Sequence, residues 1–325
     1  MAHVSRAISH RGNVMPPLPV WAGVALGMAF PANDASEEPP GVRAAAARWD
    51  DTECIVPRGL RRRREASAAT LACQTASRLL QQAPAVEKQK VQALIYCHEA
   101  PDARIPESTA GRLQHELGLA QARAFSVSQC HNTSAYAALD LALALLHGPE
   151  QIKLALVVAS DKLVFPSMKP STDSLRFGDT AAAMVLTRDP SPGSSLQLVH
   201  ARLAHCDGMP NAFESWNQAA KAGIAVRCAD FIEASLRECG LAADRLAGVL
   251  NCGTDETLAA RVHSTLGIHA SAILNRPTGR SRGTSAADPI MAIEWLQAKG
   301  AAAGPALLWG AGNNGELGCC VLIPS

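Results

Sequence analysis

The sequence predicts an α/β fold with a largely parallel sheet, built as two halves of similar rhythm. Short apolar runs alternate with stretches of helical spacing along most of the chain. One strong break, Pro190-Ser191-Pro192-Gly193-Ser194, ends the first series, and the alternation then restarts. The 325 residues, 48% of them hydrophobic, suffice for a large core or two fused half-domains.

The elements follow in order. Residues 1–19 read as a loose leader, because Pro16, Pro17 and Pro19 interrupt regular structure. Residues 21–30 (WAGVALGMAF) read as a buried first strand, and helical spacing runs over 66–80. A strand at 91–97 feeds a loop with Pro101 and Pro106, and a helix at 108–117 ends at Gly118. A short strand at 124–128 enters a helix from about Asn132 to His147, with Asn132 or Thr133 as its N-cap. Strands at 154–159 and 181–186 complete the first half, 20–190. The second half, 195–325, holds strands at 196–203, 246–250, 305–309 and 318–323, with helices at 228–239, 257–266 and 286–299. Adjacent Cys319 and Cys320 in the last strand point to opposite faces.

Composition excludes several classes of function. Thirty basic and 29 acidic residues leave +1, with no electrostatic case for a nucleic-acid or membrane partner. No segment reaches the ~20 apolar residues of a membrane span, and the first residues lack the apolar run of a secretory signal. The ten cysteines are scattered through apolar segments without C-x-x-C spacing, which fits free thiols in a reducing cytoplasm and argues against a structural metal.

One segment concentrates chemistry. Ala124-Phe125-Ser126-Val127-Ser128-Gln129-Cys130-His131-Asn132-Thr133 joins a strand to a helix with an apolar stripe at Leu139, Ala142 and Leu146. A cysteine there faces the positive helix end and unpaired N–H groups, which favours its thiolate. The bland alternative is a small core residue.

Further runs fall in a recognisable order. Leu117-Gly118 and Ala124-Phe125 precede the cysteine turn. Val157-Val158-Ala159-Ser160-Asp161, Phe177-Gly178-Asp179-Thr180-Ala181, Gly283-Thr284-Ser285-Ala286-Ala287 and Trp309-Gly310-Ala311-Gly312-Asn313-Asn314-Gly315 follow it. Upstream stand Glu53-Cys54-Ile55, Arg58-Gly59-Leu60 and Arg61–Arg64. Over roughly residues 20–324 this set resembles the β-ketoacyl-ACP synthase III enzymes. The resemblance implies a thiolase-like, five-layered αβαβα fold of two similar halves, a homodimer, and an acyl group carried on Cys130. The acyl donor would be an acyl-CoA or acyl-phosphopantetheine thioester, with no permanently bound cofactor, and an acyl carrier protein would be a partner. Counting without gaps from Phe125 instead puts His131 in the nucleophile column and packs Cys130 in the core.

The sequence departs from that family where a His and an Asn stabilise the decarboxylation enolate. Cys252 stands in the His column and Gly283 in the Asn column. Ordinary decarboxylative elongation is therefore not expected. The expectation is acyl transfer in specialised polyketide or fatty-acyl biosynthesis, or alternatively a catalytically silent partner of an active ketosynthase paralogue. Arg58 matches a CoA- or phosphopantetheine-contacting Arg, and Cys54 replaces a stacking Trp. Arg61–Arg64 suits an acidic carrier protein or a phosphate, or equally a solvated basic loop. Gly312 is the expected backbone donor to an oxyanion, whereas Gly178, Gly310 and Gly315 serve the backbone path. His98 sits at a strand end facing the pocket, His205 follows a strand, His263 reads as a surface or interface residue, and Asp255 could orient water.

Overall fold

A computed structural model describes residues 18–21, 67–82, 87–99, 108–148, 152–161, 180–188, 196–206, 218–254, 256–276, 285–299, 303–312 and 315–324. Its strands are β1 (Leu18–Trp21), β2 (Ala93–Cys97), β3 (Arg123–Val127), β4 (Leu154–Asp161), β5 (Thr180–Thr187), β6 (Leu196–His205), β7 (Gly248–Asn251), β8 (Ala306–Ala311) and β9 (Glu316–Pro324). The α-helices are α1 (Ala68–Gln82), α2 (Thr109–Glu116), α3 (Ser134–His147), α4 (Gln218–Glu238), α5 (Glu256–Thr265) and α6 (Asp288–Lys299). Local chemistry sets several ends. Ser108 caps α2 by accepting from Gly111 N, and Gly118 closes it with φ 69°.

The strands hydrogen-bond in the order β3-β2-β4-β5-β1-β6-β9-β8-β7, and this order contains a repeat. In the first half β2 is parallel to β3 and β4, β4 is antiparallel to β5, and β5 to β1. In the second half β7 is parallel to β8 and, through a single bridge, to Ile273. There β8 is antiparallel to β9, and β9 to β6. Read outward from the β1–β6 seam, both halves follow one plan, with the Ile273 bridge standing where β3 stands.

Apolar packing separates five layers. The outer face of the first half-sheet, with Leu94, Tyr96, Leu156 and Val158, packs on α1 and α2 through Leu79, Leu80 and Leu113. The outer face of the second, with Val249, Leu307, Trp309 and Val321, packs on α4 and α5 through Ile232, Leu236, Leu258 and Val262. Both inner faces share one core with α3 and α6, through Tyr136, Leu139, Leu146, Ile290 and Ile293. The layers therefore run helices, half-sheet, α3 with α6, half-sheet, helices. Cys319 enters the outer cluster and Cys320 the inner one, as strand alternation requires.

Two sequence expectations need correction. The first strand lies at Leu18–Trp21, overlapping the stretch read as a leader, and residues 22–30 fall outside the described ones. Pro19 sits within it opposite Gln197, supplying a carbonyl but no N–H to the ladder. His263 is buried, 5% exposed, because its position on α5 faces β8, where Trp309 Nε1 donates to its Nε2 at 3.1 Å.

Candidate active site

The loops after parallel strands of both halves converge, as ligand sites in open α/β sheets commonly do. Asn132, in the turn after β3, donates from Nδ2 to the carbonyls of Gly253 and Ala311, each at 3.3 Å. Ala311 N in turn donates to Thr254 Oγ1 at 2.8 Å. These bonds join the cysteine turn to the loop after β7 and to the end of β8. Asp161, ending β4, accepts from the N–H of Glu99 at 2.6 Å and of Ala286 at 2.7 Å. One buried carboxylate thus fixes the loop after β2 and the approach to α6.

The cysteine turn is strained. Gln129 and His131 have φ of 69° and 49°, a left-handed conformation that costs a residue with a side chain about 1–2 kcal/mol. Between them Cys130 has φ −115° and ψ 21°. Thr133 N and Oγ1 both donate to the Cys130 carbonyl, and Ser134 Oγ donates to that of His131 at 2.8 Å. A 3-10 turn, His131–Thr133, precedes α3. Neither Asn132 nor Thr133 therefore caps α3 through its side chain: Asn132 reaches into the second half and Thr133 bonds backward.

Cys130 is half-buried, and its Sγ donates to the Ser128 carbonyl at 3.5 Å. Burial, and secondarily the Glu316 carboxylate, push its thiol up rather than down. The 3-10 turn His131–Thr133 stands between Cys130 and the start of α3.

His131 is held between two carboxylates. Its Nδ1 lies 3.2 Å from Glu99 Oε1 and its Nε2 lies 4.0 Å from Glu316 Oε1. The side chains of Glu99 and Glu316 are 12% and 10% exposed and that of His131 27%, so the group is largely shielded yet reachable. His98 does not join them. Its ring stacks on Tyr96 at 5.0 Å, toward the outer layer, and alternation along the chain gives the inner position to Glu99.

In the column where the resembling enzymes carry a His, Cys252 is 2% exposed. Burial first, then Asp288, push its thiol up to about 12. The Tyr136 hydroxyl has no nitrogen or oxygen partner among the described residues, and its polar neighbour is the Cys252 sulfur. Gly310 lets β8 pass against the Cys252 carbonyl, where a Cβ would collide. Behind them Arg276 pairs with buried Asp288 at the start of α6. Gly312 also departs from expectation: its N–H donates to the Glu316 carbonyl at 2.7 Å, closing the β8–β9 hairpin instead of facing a substrate. Arg58, Arg61–Arg64, Gly178, Asp255 and Gly283 lie outside the described residues.

The fold thus brings Cys130, His131, Asn132, Glu99 and Glu316 together beside the loop of Cys252. The sequence reading missed Glu99 and Glu316. Their only signals were position, directly after one buried strand and at the start of another. Among the described residues no group of three or more His, Cys, Asp or Glu side chains is placed to hold a metal. Nor is any helix there long and apolar enough to cross a membrane.

No protein-family model matches the sequence, and no curated protein matches it. Solved structures do match its fold. The acyltransferase ChlB3 superposes with a TM-score of 0.70 at 20% identity, covering 94% of this chain and 97% of its own. The 3-oxoacyl-[acyl-carrier-protein] synthase III of Aquifex aeolicus VF5 gives 0.66 at 19% identity, covering 80% of this chain and 85% of its own. Xanthomonas campestris OleA, solved with lauric acid and lauroyl-CoA, gives 0.66 at 16% identity, covering 80% and 84%. The chain has the thiolase-like fold of the β-ketoacyl-ACP synthase III-like proteins.

Proposed function

We propose that the chain is an acyltransferase that carries an acyl group on Cys130. The observation that supports this most is the strained strand-to-helix turn that presents Cys130, half-buried, where the strand-end loops of both halves meet. The thiol adds to the carbonyl of an acyl-CoA or acyl-phosphopantetheine thioester, giving acyl-S-Cys130 and releasing the donor thiol. An acyl carrier protein is the preferred donor, in specialised polyketide or fatty-acyl biosynthesis, and no cofactor is retained. Decarboxylative condensation is disfavoured because Cys252 is buried against Tyr136 and a glycine, Gly283, stands in the Asn column. Removing one oxyanion donor alone costs ~3 kcal/mol of transition-state stabilisation.

The protein acts as a homodimer. β3 ends the sheet order, and its Phe125 and Val127, with Leu141 and Leu145 of α3, are only partly buried, a surface suited to a second copy. Light scattering on Phe125→Asp checks this, with a monomer expected.

Intact-protein mass spectrometry tests the main reading, using acyl-CoA and acyl-carrier-protein thioesters on wild type and Cys130→Ala. An acyl adduct on wild type, absent from the variant, supports it. The replacement of the His and Asn columns by Cys252 and Gly283 favours a second reading, a silent partner of an active ketosynthase. No adduct with any donor on folded dimer would favour that reading.

A further inference from the structure

Resting on Cys130 as the acyl carrier, we propose that Asn132 is a positioning residue for acylation. Its amide spans the two halves and sets where the Cys130 sulfur stands relative to the second. Asn132 is 5% exposed and lies two residues beyond Cys130. Its Nδ2 donates to the carbonyls of Gly253 and Ala311, each at 3.3 Å, across 121 and 179 residues of sequence. An amide NH2 carries two hydrogens, so one group serves both acceptors, and two facing carbonyls fix which end of the amide is nitrogen. With both hydrogens engaged, Asn132 acts through the turn and not on the acyl group.

The acceptors are themselves held. Thr254 Oγ1 accepts from Ala311 N at 2.8 Å, tying the loop after β7 to the end of β8. Asn251 closes that loop from both sides: Oδ1 accepts from Thr254 N at 3.2 Å, and Nδ2 donates to the Thr254 carbonyl at 3.0 Å. Gly253 is left-handed at φ 70°, a conformation that costs glycine little. The two carbonyls thus form a fixed socket, one of them on the residue after Cys252 and the other on the residue after Gly310.

The neighbouring bonds act locally. Thr133 donates to the Cys130 carbonyl and Ser134 to that of His131, so they shape the turn without joining it to the second half. Gln129 and His131 hold costly left-handed conformations on either side of Cys130, and such strain persists only where the surroundings over-determine it. The Asn132 clamp is part of that determination. In acylation the Cys130 sulfur adds to the thioester carbonyl, the bond from that carbon to the donor sulfur breaks, and the donor leaves as a thiol. The balance is acyl-S-R plus HS-Cys130 giving acyl-S-Cys130 plus HS-R. Attack on a bound carbonyl needs the sulfur held within about 0.5 Å of its line. A small alkylating reagent that binds nowhere makes no such demand.

The experiment follows single-turnover acylation by intact mass over a range of acyl-CoA concentrations, in wild type, Asn132→Ala and Asn132→Asp. Iodoacetamide alkylation of Cys130 is measured beside it on the same folded proteins. The maximal acylation rate of Asn132→Ala should fall ~100-fold, with the half-saturating donor concentration and the alkylation rate within about threefold of wild type. Asn132→Asp adds a pH signature. Facing two carbonyl oxygens, its carboxyl ionises above the usual ~3.9 and, once protonated, regains one donor. Its acylation rate relative to wild type should therefore rise severalfold from about pH 8 to about pH 5.5, while that of Asn132→Ala stays flat. An unchanged maximal rate in Asn132→Ala, even with lowered stability, would overturn the proposal while leaving Cys130 as carrier. So would acylation and alkylation falling by the same factor, or a flat ratio for Asn132→Asp. If neither variant folds by circular dichroism, Thr254→Val decides, since it loosens the socket and leaves Asn132 in place. A lower maximal rate with unchanged half-saturation then supports the proposal, and an unchanged rate overturns it. If wild type never forms the adduct, the acyltransferase reading fails and this proposal falls with it.

Discussion

Lowering the pH from 7.5 to 5.0 should unfold the wild-type protein more readily than a variant in which His263 no longer titrates. Burial alone pushes His263 down to about 4, from an unfolded value of about 6.5. Between these values the unfolded chain binds a proton that the folded chain refuses, so stability falls as pH falls. The contribution is intact above about pH 6.5 and is lost progressively down to about pH 4. At pH 5.0 the linkage gives ~2 kcal/mol, and about 3 kcal/mol once both states are protonated. His263→Gln suits the comparison because its amide oxygen can still accept from Trp309 Nε1, which donates at 3.1 Å in the native protein. An acceptor-free replacement would instead strand that buried donor, at about 1–3 kcal/mol. Urea unfolding of both proteins at the two pH values gives a difference of differences in which other titrating groups cancel. The wild type should lose ~2 kcal/mol more than the variant. Equal losses would refute the account of His263 as a buried neutral base.

Other perturbations have equally definite outcomes. Alkylation of Cys130 by iodoacetamide, read by peptide mass, should be slow at pH 7 and still rising at pH 9, since burial and Glu316 oppose its thiolate. Glu316→Gln should lower the thiol pKa and speed the reaction at neutral pH. Asp161→Ala strands the N–H groups of Glu99 and Ala286 and should cost ~3 kcal/mol or more in urea unfolding, with Asp161→Asn costing less. Arg276→Met leaves buried Asp288 uncompensated and should cost about 3–5 kcal/mol by the same measurement. Gly318→Ala places a methyl in the Tyr136 ring, and the overpacking should lower stability by about 1–3 kcal/mol.

The α/β alternation was legible because strands buried on both faces carry continuous apolar runs, as residues 154–159 of β4 and 181–186 of β5 do. The duplicated plan was legible only as rhythm. Strand order depends on pairings such as that of Leu198 with Leu322, which no local pattern encodes. Cys130 could be found because a polar cluster between a strand and an apolar-striped helix is a local signal. Glu99 and Glu316 could not, since each becomes a neighbour of His131 only through the crossing of strands distant in sequence. Proline at position 19 misdirected the placement of the first strand, because its missing N–H argues against a ladder that it nevertheless enters. For His263, a helix with modest apolar content looked solvent-facing, and only the Trp309 indole explains how the imidazole is tolerated inside.

The seam formed by β1 has a consequence for the order of assembly. Val20 sits between Leu186 of β5 and Leu196 of β6, so the earliest described strand can take its place only after most of the chain has left the ribosome. Until then the two half-sheets have open edges there, and closing so long a loop is slow. A ribosome-bound intermediate should therefore expose β5 and β6 to mispairing. Holding the first residues away from the body, by a bulky amino-terminal fusion, should delay maturation and favour aggregation more than the same fusion at the other end.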